Sequence, residues 1–231
     1  AVYLSKTEGS EESWPAFAAA APLKIDGLEA WLSKAGRDVF RRASFPVPEI
    51  SAASSVLANV HLNPDADNVY RRAALFEVFN GQALPSLALA AYRAGNPDAS
   101  FKIEPGRFEI GGKAVPVDAA GRAMLNFRGP SGTHQAYSAA SVIQSELRLQ
   151  NREAPSVAPD EFRDAYVLFG FSAPGLYDLR PAPVSGVYPG LEIHATLLDN
   201  ILAHDFISPV PLAWVVVITL MMALLAGAAT S

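Results

Sequence analysis

No cysteine occurs among the 231 residues. That excludes disulfides, thiol nucleophiles and cysteine-ligated metal together. No basic run exceeds the pairs Arg41-Arg42 and Arg71-Arg72, and the net charge is -5. A nucleic-acid partner would call for a basic stripe, so none is expected. The histidines are only four, His61, His134, His194 and His204, without HExxH or other ligand spacing. Gly111-Gly112, Gly129 and Gly132 form no phosphate loop, and Ser172 does not sit in Gly-x-Ser-x-Gly. Asp65, Asp67 and Asn68 lack the twelve-residue spacing and closing Glu of a calcium loop. No catalytic residue, metal or cofactor is expected.

Half the residues are apolar and 18% are charged, a composition that builds a core. The length suits one large α/β domain or two small ones. Charge disappears altogether from Phe206 onward. Residues 210–229 (VPLAWVVVITLMMALLAGAA) would span about 30 Å as a helix, the thickness of a bilayer's hydrocarbon core. Pro209 and Pro211 stand at its start and Trp214 one turn in, where an interfacial aromatic belongs. A transmembrane helix is expected at 209–229, following a water-facing body at 1–205. Its upstream flank carries Glu192, Asp199 and Asp205 but no Lys or Arg after Arg180, which favours the outer side of the membrane. The opening AVYL reads as a buried strand, and both ends read as cut from a longer protein.

Along the body, Leu28, Trp31, Leu32 and Ala35 fall at helical spacing, with Lys34 and Arg37 suited to the helix C-terminus. Residues 56–62 and 69–79 read as strands around an Asp/Asn-rich turn, and 86–94 as a helix. Residues 107–110 and 113–117 flank Gly111-Gly112 as a hairpin with a primed turn. A strand at 123–127, a loop at 128–134 and a helix at 138–147 follow. AYVLFGF at 165–171 reads as a central strand covered on both faces. Gly190 to Ala203 reads as a helix with Leu191, Ala195, Leu198 and Leu202 on its buried stripe. The pattern gives an α/β fold: a mixed open sheet with flanking helices, then the membrane helix. The loop after Phe171 is the expected binding region, because open α/β sheets bind ligands beyond the carboxyl ends of their strands.

The stretch from Ala165 to Leu202 also resembles the C-terminal signature of the second class of CHASE domain, the cyclase/histidine-kinase-associated sensory extracellular domain. The matching residues are Gly170, Ala173, Asp178, Ala182-Pro183, Pro189-Gly190, Glu192, His194 and Ala195. Upstream, Asp65 to Arg72, Leu84 to Ala88 and Asn126 to Pro130 match as well. The family's first membrane helix and its cytoplasmic output domain have no counterpart in this sequence. The resemblance implies a periplasmic or extracellular sensor of a bacterial inner-membrane receptor, driving an adenylate or guanylate cyclase first of all. A histidine kinase, diguanylate cyclase or Ser/Thr kinase output is the alternative. A homodimer, bound to the membrane and to a small-molecule or envelope ligand, is the expected assembly.

Six residues are candidates for ligand contact. His194 could reach the loop carrying Asp178, since Glu192, two positions away on the same helix, cannot face it. Asp178 could serve a ligand or its own turn. Arg180 could clamp an anion or pair with Asp178 or Glu192. The helix N-terminus at Gly190, with Arg180 or Arg128, could receive an anion. Arg71 and Arg72 could join such a pocket, although a surface role is their simpler reading. A membrane-anchored extracytoplasmic enzyme is the remote alternative, for want of a nucleophile, a metal set or paired carboxylates.

Overall fold

The computed structural model describes residues 1–33, 39–171 and 178–230, with the side chains of residues 212, 229 and 230 left aside. The expected roles of Lys34, Ala35, Arg37 and the segment Ser172 to Gly175 lie outside the described residues. In chain order the elements are β1 (Tyr3–Ser5), α1 (Leu28–Leu32), β2 (Arg42–Ser44), α2 (Pro48–Ala53), β3 (Arg72–Ala74), β4 (Phe76–Phe79), β5 (Gln82–Pro85) and α3 (Leu87–Gly95). Then come β6 (Phe101–Glu104), β7 (Arg107–Ile110), β8 (Lys113–Pro116), β9 (Arg122–Met124), α4 (Ala139–Gln150), β10 (Leu179–Ala182), β11 (Ser185–Pro189), α5 (Gly190–Ala203) and α6 (Leu212–Thr230).

The mixed α/β class holds, but one open sheet does not form among the described residues. Five small sheets pair β1 with β2, β3 with β9, β4 with β5, β6–β7–β8 in order, and β10 with β11. Every one of these ladders is antiparallel. Parallel pairing survives only as isolated bridges: Val2 with Asn59, Asp26 with Lys102, Phe40 with Phe79 and Asn59 with Ser86. Tight turns explain the hairpins. Gly111 and Gly112 take φ of 56° and 81°, the left-handed pair that a primed turn requires. Asn80-Gly81 does the same between β4 and β5, with φ of 47° and 80°. The strand expected at 69–79 is instead split at Leu75 into β3, which pairs with β9, and β4, which pairs with β5.

Two apolar clusters hold the sheets and helices together. The larger stacks Trp31 on Phe76 and Phe76 on Phe108, with ring centroids 5.5 and 5.6 Å apart. It continues through Leu75, Val115, Tyr188, Ile193 and Leu197. The smaller joins Val2, Leu4, Phe40, Leu57, Phe79 and Leu84. The opening AVYL therefore contributes one buried face, Val2 and Leu4, while Tyr3 is exposed. Gly27 shows how close the parts lie: at φ 80°, an added Cβ would sit 2.6 Å from the Ile103 carbonyl oxygen. Only glycine tolerates both that conformation and that approach.

Three sequence expectations are corrected. Residues 56–62 form no strand beyond the single bridges of Asn59. AYVLFGF is no central strand: it lies in no sheet, and Val167, Phe169 and Phe171 are 63%, 77% and 64% exposed. The argument for a ligand site after that strand loses its sheet. On α5 the buried residues are Gly190, Ile193, His194, Thr196, Leu197, Leu198, Asn200 and Ile201, so the stripe keeps Leu198 of the expected set and is rotated away from Leu191, Ala195 and Leu202. The buried side of α5 packs against α3.

Among the described residues no helix is long and apolar enough to cross a membrane. Within α6, the side chains of residues 213–228 are described, and every one of them is exposed. They include Trp214, Leu220, Met222 and Leu224.

Candidate functional site

Helix α5 organises the polar groups of the domain, because its apolar face is fixed by packing while side chains from distant segments bind its length. Its N-terminus lacks a side-chain cap from Pro189. Asp178 supplies the missing acceptors instead. The Gly190 N–H donates to the Asp178 backbone oxygen at 2.8 Å, and the Leu191 N–H lies close enough to its carboxylate to favour the charged form. A Cβ on Gly190 would collide with that carboxylate, whose carbon would lie 2.9 Å away. Burial pushes the Asp178 carboxyl up, opposed by Arg180 and by the Leu191 N–H. Arg180 pairs with it at 3.6 Å, as the sequence led one to expect, and lies 5.7 Å from the centre of the Tyr70 ring. The helix N-terminus is thus filled by the chain's own carboxylate, the charge its dipole favours.

A strap formed by residues 126–134 runs along the rest of α5. The Asn126 N–H donates to Asn200 Oδ1 at 2.8 Å, and Asn200 Nδ2 returns a bond to the Asn126 carbonyl at 3.0 Å. Arg128 grips Asp199 and Asp205, each at 2.6 Å. This contact holds the Asp205 carboxyl below its ordinary range. Ser131 Oγ and the Gly132 N–H both donate to Glu192, at 2.8 and 2.9 Å. His134 Nε2 meets Thr196 Oγ1 at 3.1 Å, and the buried Tyr188 hydroxyl meets the same oxygen at 3.3 Å. Tyr188 is pushed up by burial first of all.

The six candidates are therefore not one cradle. Asp178, Arg180 and Gly190 come together. Glu192 is held by the strap. Arg128 sits on Asp199, nine residues beyond Gly190 and so about 14 Å along the helix axis. The expected pairing of His194 with Asp178 does not form. His194 is buried, with neither ring nitrogen hydrogen-bonded among the described residues. The Val60 backbone is the polar group close enough to act on it, without reaching hydrogen-bond geometry. Arg71 and Arg72 are also occupied: Arg72 meets both oxygens of Asp65 at 2.7 Å, and Arg71 meets Asp67 at 2.8 Å. Sequence reasoning missed Asn200, Thr196 and His134. The available signal was a pair of polar residues, Thr196 and Asn200, one turn apart within an apolar helix.

Burial lowers the His194 pKa from 6.5 to about 4. Its folded value lies below its unfolded value, so the unfolded chain takes up the proton first. Stability that is intact above pH 6.5 should fall as the pH drops through 6.5 and level off near 4. The shift corresponds to roughly 3 kcal/mol. Urea midpoints of the chain and of His194→Leu between pH 7.5 and 4 check this. The difference between their profiles should vary in that window, and a pH-independent difference would refute the assignment.

A concavity of about 280 Å³ lies at the far end of α5. Its walls include Tyr92, Asn96, Lys113, Tyr166 and His204, and no carboxylate. Among the described residues no group of three or more His, Asp or Glu could hold a metal ion.

The family model described as the CHASE2 domain matches residues 11–229. The chain belongs to the CHASE2 domain family. No curated protein and no solved structure matches it. CHASE2 domains are sensory extracellular domains, which supports a sensory role for this chain. Three of the family stretches noted in the sequence meet on α5. Asn126 to Pro130 supplies the strap, Asp178 the helix cap, and Pro189-Gly190 the start of α5.

Proposed function

We propose that this CHASE2 domain is the extracytoplasmic ligand-sensing input of a bacterial membrane receptor. In this reading α6 crosses the membrane and relays the signal to a cytoplasmic output domain, an adenylate or guanylate cyclase by first preference. The observation that carries the membrane part is α6 itself: 19 residues without a charge, with every described side chain exposed. In water such a surface would far exceed the few hundred Å² that monomers tolerate. In lipid it needs no cover, and about 28 Å of helix nearly matches the hydrocarbon thickness.

Signal transfer then runs through α5. Only residues 204–211 separate it from α6. The strap and the Asp178 cap fix where α5 sits, so a ligand that favours one position of α5 over another biases α6. A differential affinity of about 1–3 kcal/mol is the usual scale for such coupling. Two places suit the ligand. One is the Asp178–Arg180–Gly190 corner, with His194, Glu192 and Arg128 along the same helix. The other is the concavity at the end of α5.

The absence of cysteine makes the orientation directly testable. Asn151→Cys, in an exposed loop, should react with a membrane-impermeant maleimide in intact spheroplasts of a cell expressing the chain. Labelling that appears only after permeabilisation would place the body on the cytoplasmic side and overturn the proposal.

A further inference from the structure

The concavity at the far end of α5 is assembled from four stretches of chain. The last turn of α3 brings Tyr92, Gly95 and Asn96, and the β7–β8 hairpin brings Ile110, Gly111 and Lys113. Tyr166 supplies another wall, and the end of α5 adds Ile201, Leu202 and His204. Ile110 and Ile201 are buried and give the space an apolar side. Tyr166 is seated by a small residue: a Cβ added to Gly95 would collide with its hydroxyl. That hydroxyl accepts a hydrogen bond from Asn96 Nδ2 at 3.3 Å. The same amide nitrogen donates to the Tyr92 carbonyl at 2.9 Å and so covers a carbonyl at the end of α3.

The hydrogen-bonding capacity left over in these walls is donor capacity. Among the described residues the Lys113 ammonium meets no carboxylate, the Tyr92 hydroxyl has no hydrogen-bond partner, and the Tyr166 hydroxyl accepts without donating. The Asp178–Arg180–Gly190 corner differs, because there the chain's own carboxylate answers the donors. We propose that the concavity binds a small organic carboxylate with an apolar body. The carboxylate oxygens would take the Lys113 ammonium and the two tyrosine hydroxyls, and the apolar body would lie against Ile110 and Ile201. An amine would meet Lys113 with no counter-charge. At about 280 Å³ the space is at the lower edge of small-molecule sites, which limits the body to one ring or a short branched chain. The proposal names a ligand class for the second of the two places given above, and its signalling role rests on the sensor reading. His204 ends α5 at φ 55°, and Asp205 beyond it is held by Arg128. A ligand here would therefore lie against the joint between α5 and the linker to α6.

Calorimetric titration of the full chain in a non-ionic detergent tests this, with phenylacetate as the probe and phenylacetamide, phenethylamine and inorganic phosphate as comparisons. Phenylacetate should bind at least tenfold more tightly than each of the others. Lys113→Gln should lower phenylacetate affinity at least tenfold, to the level of the amide. The same change at Lys24, also exposed, should leave it unaltered. Gly95→Ala, which dislodges Tyr166, should weaken phenylacetate as well while the melting temperature holds. The proposal is overturned if phenylacetate does not bind at up to about 10 mM, or if the amine or phosphate binds as tightly. It is equally overturned if Lys113→Gln binds phenylacetate as the parent does. Maleimide labelling of Asn151→Cys separates the two readings. Binding together with cytoplasmic labelling would keep the site and remove the receptor role, and external labelling without binding would do the reverse.

Discussion

Leu220→Arg should reduce membrane insertion of α6 by more than a hundredfold. Leu220 lies near the middle of α6, and its side chain is 60% exposed. At the centre of a membrane helix, Arg costs about 2.5–3.5 kcal/mol and the lost Leu contributes a few tenths more. A water-facing helix behaves in the opposite way. There, exchange of an exposed leucine for arginine changes stability by about 0.5 kcal/mol or less. Pro211→Arg, just outside the helix, provides the control, because an arginine near a membrane surface can reach the headgroups. Alkaline extraction of membranes carrying each variant reads the difference. If the Leu220→Arg chain stays in the pellet as fully as the parent and the Pro211→Arg control, α6 is not embedded in lipid.

Local chemistry made several elements legible from the sequence. Ser86 and Ser138 cap α3 and α4 by accepting from the Leu89 and Ser141 N–H groups, and both helices begin where those serines predict. Gly111-Gly112 gave the β7–β8 hairpin, and Asn80-Gly81 carried the same signal for β4–β5, where it went unread. The bounds of α5 were legible, but its buried face was not. Leucine or isoleucine occupies so many of its positions that hydrophobic period alone fits more than one stripe. The choice is made by packing against α3 and by polar partners more than sixty residues upstream. AYVLFGF shows the other limit. Its composition reads as a buried strand, but Val167, Phe169 and Phe171 stay exposed in the described fold. At the candidate site, Asp178 and Arg180 were legible because neighbours in sequence meet in space. The strap was not, because nothing in RGPSGTH says which helix it will grip.

Asn200→Leu is the substitution expected to cost the body most. Asn200 is fully buried, and its amide holds both the N–H and the carbonyl of Asn126. Leucine has the same number of side-chain heavy atoms and opens no cavity, but it leaves the Asn126 N–H and carbonyl, both partly buried, without partners. At about 1–3 kcal/mol for each, the loss is about 4 kcal/mol, a large part of the stability of a domain of this size. Arg128→Ala removes ion pairs that are partly solvent-exposed and should cost less, about 1 kcal/mol or below. Both contacts hold the same strap against the same helix, so their effects should not add. Once Asn200→Leu has freed the strap, deleting Arg128 should cost little more. Urea unfolding of the two single variants and the double variant measures this coupling. Additive losses would mean that residues 126–134 do not act as one unit on α5, and the route from strap to helix to membrane would lose its first link.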